Sequence, residues 1–153
     1  SRAPRPPTQP IFNRLMIERT LVAATVMGVV GFAVFWHLLP AEHTAAQLFA
    51  AQNTLLLLMV LFENVHIGNC RSETRSAFLN SPLRSPVLLV GVIGAFLAHL
   101  GSLYWPPMQK LLGTAPVTLD TWLWLIGLAL TIFVAMELHK LSWWWRHGRE
   151  EKV

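Results

Sequence analysis

Four long apolar blocks, separated by short clusters of charge, proline and glycine, dominate the chain. From Leu15 the pattern turns helical, and Leu21 to Leu39 carries no acidic or basic side chain apart from His37 near its end. At about 1.5 Å per residue such a run crosses a hydrocarbon core of about 30 Å. Pro40 stops this first helix. Thr44-Ala45-Ala46-Gln47 has the spacing of a capping box, in which two side chains satisfy free amides at a helix start, so a second helix begins there. It runs through Leu55 to Phe62, takes in Glu63 and His66, and reaches Gly68 before a polar loop. Ser85-Pro86 suits an N-cap and first helical position, opening a third helix with His99 inside it and Pro106-Pro107 at its end. Asp120 or Thr118 can cap the fourth, which spans about Trp122 to Leu141.

The pattern therefore predicts an all-α fold, an integral membrane bundle of four antiparallel transmembrane helices at about 15–39, 44–68, 86–105 and 121–141. Residues 1–14 form a proline-rich lead-in, 15–141 the membrane domain, and 142–153 a basic tail. Composition agrees: 54% of the 153 residues are hydrophobic and 13% charged, against roughly 25% charged in soluble domains. The partner this implies is the lipid bilayer.

Charge fixes the expected orientation. Eleven of the twelve Lys and Arg fall before the first helix, between the second and third, or after the fourth; Lys110 alone lies in the opposite loops. Cations near helix ends favour the cytoplasmic side, so both termini and the 69–85 loop are expected there. Trp36, Trp105, Trp122 and Trp124 then fall at the outer interface and Trp143, Trp144 and Trp145 at the inner one. A basic balance of +4 divided among three loops excludes a nucleic-acid surface. Cys70, the only cysteine, excludes an internal disulfide.

Glu63 is the chief candidate for chemistry, because an ionisable group within a span is costly and by default contacts an ion, a proton or substrate. The structural alternative is that it lies near enough to the inner end to pair with Arg71 or bond a neighbouring helix. Asn64 and His66 are secondary candidates, His66 sharing a helix face with Glu63 at i, i+3. A di-metal centre would need a second Glu-x-x-His pair, which the chain lacks. A haem between His66 and His99 is excluded by the opposite directions of their helices. Gly94, Ala98 and Ser102, and likewise Gly127, Thr131 and Ala135, form small-residue stripes expected to allow close helix approach. Glu137 and Lys140 read as a local ion pair. No nucleotide loop, nucleophile elbow or catalytic residue is present.

The segment Phe62-Glu63-Asn64-Val65-His66-Ile67-Gly68-Asn69-Cys70-Arg71, continuing to Phe78, resembles the end of the eighth helix and the following cytoplasmic loop of P-type cation-transporting ATPases of the calcium-pump type. Pro6-Pro7 to Phe12, Tyr104 to Pro107, Val117 to Trp122 and Glu137 to Lys140 extend the resemblance over about residues 4–147, as helices seven to ten. The resemblance implies that Glu63 occupies a position supplying a carboxylate to the transported cation, a hard ion that prefers oxygen ligands. It also implies that the other ligands and the phosphorylated aspartate lie in helices and cytoplasmic domains outside this chain. By the same resemblance the parent pump uses ATP and Mg, while this chain itself holds no cofactor and has no ATPase or transport activity alone. A start at SRAPRPP without an initiator Met favours that reading. The alternative is a self-contained four-span transporter or assembly factor using Glu63 and His66.

Overall fold

Asn13 is the N-cap of the first helix, its side-chain oxygen accepting from the Met16 amide at 2.7 Å. A computed structural model describes residues 13–70 and 86–147. The helix that Asn13 caps, α1, runs Arg14–Leu38; α2 is Ala45–Cys70, α3 is Pro86–Tyr104, α4 is Pro106–Leu112 and α5 is Leu119–His147. No strand occurs among the described residues. The four long helices are each long and apolar enough to cross a membrane, and α4 is a short surface turn between the last two.

The expected helix starts can be followed atom by atom. Thr44 N donates to Gln47 Oε1 at 2.8 Å, and Gln47 N donates back to Thr44 Oγ1 at 3.3 Å, closing the capping box of α2. Thr118, rather than Asp120, caps α5, its hydroxyl accepting from Thr121 N at 3.3 Å. Ser85 lies outside the described residues, although α3 does begin at Pro86. The prolines at 106 and 107 follow the end of α3 but also begin α4, where a missing amide at the first turn costs nothing. Gly113 then closes α4 in the left-handed region at φ 61°, where a residue without Cβ is unstrained. The last long helix also runs to His147, through the Trp143 to Arg146 segment read from sequence as tail.

Packing joins α1, α2 and α5. Leu57, Leu58, Leu61 and Phe62 of α2 form one buried cluster with Leu125, Ala129, Ile132 and Met136 of α5, joined by Ala23 and Val34 of α1 and Leu103 of α3. The α5 positions repeat at four and three residues, one face of a helix. Asn53 of α2 secures the far end: its amide donates to Ala115 O at 2.9 Å and its oxygen accepts from Ala115 N at 3.1 Å. Along α3 only Ser102 and Leu103 are buried. Its C-terminal half is tied to α5 by Trp122 Nε1 donating to Tyr104 Oη at 2.8 Å and by an edge contact between Phe96 and Trp122. Apolar side chains elsewhere point outward, Val87 and Val90 being 83% and 70% exposed, as lipid-facing or helix-facing positions do.

Among the described residues the small-residue stripes make little of the expected contact, Ser102 alone among them being buried. Gly94, Ala98 and Gly127 are exposed, and a Cβ at Gly94 or Gly127 would meet nothing within 4 Å. Close approach occurs at Gly31 of α1, where a Cβ would fall 2.6 Å from the Met59 methyl of α2. A small residue produces a groove only where another helix occupies it, and spacing alone does not specify that partner.

Candidate functional site

Five buried residues of α2, Leu57, Leu58, Leu61, Phe62 and Asn69, fall within an arc of about 140° at about 100° per residue. Glu63 stands about 170° from the middle of that arc, and it is exposed. Among the described residues no hydrogen bond or ion pair reaches its carboxylate; Arg71, the partner considered from sequence, lies outside them. Gln52, Leu56 and Cys70 are exposed on the same side. The helix thus turns its carboxylate away from α1 and α5, onto a face that the described residues leave open.

Asn64 is satisfied locally, its amide donating to Val60 O one turn back at 2.8 Å. His66 is half-buried toward α1, and its Nδ1 is enclosed without a partner. No hydrogen bond joins it to Glu63. The described residues contain no group of three or more His, Cys, Asp or Glu that could hold a metal ion.

A second polar assembly sits where α1, α2 and α5 meet at the Arg14, Cys70 and His147 end. Lys140, only 4% exposed, donates to Glu137 Oε1 at 2.8 Å, the pair expected from sequence. It also donates to Oδ1 of the fully buried Asn69 at 3.2 Å. Arg19 Nη2 donates to the Asn69 backbone oxygen at 3.0 Å, bringing α1 into the same network. Beside it, Glu18 takes Arg14 and Arg146 at 3.0 Å each, with His139 Nε2 at 3.6 Å. Sequence reasoning missed Glu18 and Asn69. The i, i+4 spacing of Arg14 and Glu18 was a legible signal; the bonds across helices had none.

A model of the family described as "Cation transporting ATPase, C-terminus" matches residues 1–142. The chain is 32% identical over 140 residues to a calcium-transporting ATPase type 2C member 2 of Mus musculus, covering 92% of this chain and 15% of that protein. It is 30% identical over 140 residues to a probable cation-transporting ATPase F of Mycobacterium tuberculosis, with 90% and 15% covered. A calcium-transporting ATPase of Bacillus subtilis is 29% identical over 131 residues, with 84% and 14% covered. The chain spans about 15% of the length of the first two of these relatives.

Proposed function

This chain belongs to the C-terminal family of P-type cation-transporting ATPases, and from that premise we propose that it forms the supporting and partly ion-lining membrane domain of an ATP-driven cation pump. The relatives favour this reading over a self-contained transporter or assembly factor. In it, α1, α2 and α5 form a rigid unit, and the open face of α2 packs against the pump's other transmembrane helices. Those helices complete the oxygen ligands around the cation, while ATP and Mg act on the pump's cytoplasmic domains. The termini lie on the cytoplasmic side, following the cations. Calcium is the first ion to test, because two of the relatives above are named as calcium-transporting.

The exposed Glu63 carries the proposal. A charged side chain left to lipid costs on the order of 2.5–3.5 kcal/mol at the membrane centre and less toward a helix end; Glu63, seven residues from the end of α2, lies in the inner half of the span, where a carboxylate on an open helical face still favours a polar partner. Glu63 accordingly supplies one carboxylate to the transported cation, with Asn64 and His66 lending polarity around it. The experiment is an accessibility test in a Cys70→Ser background. A cysteine at Leu56, which shares the open face, is predicted to react with a membrane-soluble maleimide in this chain alone and to be shielded in the complete pump. Equal reactivity in both would place that face against lipid and end the ion-lining assignment.

A further inference from the structure

A pocket of about 190 Å³ opens between the start of α1 and the end of α2, lined by Met16, Arg19, Thr20, His66 and Cys70. Among the described residues its lining is rich in donors and contains no carboxylate. One guanidinium N–H of Arg19 is spent on the Asn69 backbone oxygen, which fixes the group and leaves the remaining donors of the fork available. Neither the Thr20 hydroxyl nor the His66 ring makes a hydrogen bond among the described residues. Lys140, which also bonds Asn69, is paired with Glu137, so Arg19 is the cation that the pocket relies on.

Position narrows the ligand further. Arg19 lies in the second turn of α1 and Cys70 ends α2, which sets the pocket at the membrane–water boundary. Met16 beside it is 43% exposed and apolar, so one rim suits an acyl chain and the other an anion. Basic pockets between transmembrane helices bind phospholipid head groups by this arrangement. We propose that the pocket binds the phosphate group of an anionic phospholipid, with Arg19, Thr20 and His66 donating to its oxygens. A lipid phosphate is favoured over a free one because only the lipid also covers the Met16 rim. The inference requires that the helices cross a bilayer; it does not require Glu63 to meet a cation, so the two can fail separately.

The test is native mass spectrometry of the chain released from vesicles of phosphatidylglycerol and phosphatidylcholine. The wild type is expected to retain phosphatidylglycerol preferentially. Arg19→Gln should lower that retention about fivefold, the factor expected for one interfacial cation. Lys110→Gln, the same charge change in α4 at the opposite end of the long helices, should leave it unaltered. Because Arg19 also holds Asn69, Thr20→Val gives a second reading that spares this contact, with a smaller fall expected. Inorganic phosphate at millimolar concentration should not displace the lipid; displacement would overturn the lipid assignment. Equal retention by wild type, Arg19→Gln and Thr20→Val, or an equal fall in Lys110→Gln, would overturn the site itself.

Discussion

Removing the buried ammonium of Lys140 probes the polar network that joins α2 to α5. Lys140→Met keeps an unbranched chain of similar length but withdraws the donor that reaches Asn69 Oδ1 at 3.2 Å. Asn69 is fully buried and its Nδ2 already lacks a partner, so leaving its oxygen unsatisfied as well costs about 1–3 kcal/mol. The Glu137 pair adds less, about 0–1 kcal/mol, because that carboxylate keeps 23% of its side-chain surface exposed. Together these give a destabilisation of about 1–4 kcal/mol. Asn69→Leu should cost about 1–3 kcal/mol on its own by depriving a buried ammonium of an acceptor. The double variant replaces both partners with apolar groups, so its loss should fall short of the sum by about 1–2 kcal/mol. Reversible unfolding in mixed detergent micelles, followed by tryptophan fluorescence, measures all three. Additivity within about 0.5 kcal/mol would refute the claim that the two side chains act as one unit.

Three further outcomes are expected. Gly31→Ala should be nearly neutral, since the Met59 methyl that its Cβ would crowd ends a flexible side chain and alanine favours the helix, whereas Gly31→Leu should cost about 1–3 kcal/mol in the same unfolding assay. Asn53→Ala should destabilise by about 2 kcal/mol, because it strips partners from both the amide and the carbonyl of Ala115; loss of protection at the Ala115 amide in hydrogen exchange would report it. In intact cells Cys70 should resist an impermeant thiol reagent, while Ala41→Cys in a Cys70→Ser background should react, and the reverse pattern would invert the proposed orientation.

Features set by neighbours in sequence were legible, and those set by neighbours in space were not. The Thr44 and Gln47 cap needs only residues three apart, and the Glu137 and Lys140 pair only one turn of helix, so both could be read directly. Pro106-Pro107 was read as a stop alone, because proline serves equally as the first turn of a following helix and the return to Gly113 shows only in the folded chain. Gly31 carried no distinguishing signal, being one glycine among several. The reach of Lys140 to Asn69, 71 positions apart, depends on how α2 and α5 are set against each other. Glu63 lies between these cases: its cost within a span was plain from the sequence, but its direction away from the core required the packing of Phe62 and Asn69 on the other side of α2.

The ion-lining role of Glu63 is tested most directly by equilibrium calcium binding to the complete pump that carries this domain. Glu63→Gln preserves size and much of the hydrogen-bonding capacity while removing the charge. The account predicts a fall in affinity of about tenfold or more with normal assembly, matching the loss of one charged ligand interaction, and a fall at least as large for Glu63→Ala. Wild-type affinity in both variants would contradict it, leaving Glu63 as a structural carboxylate on the open face of α2.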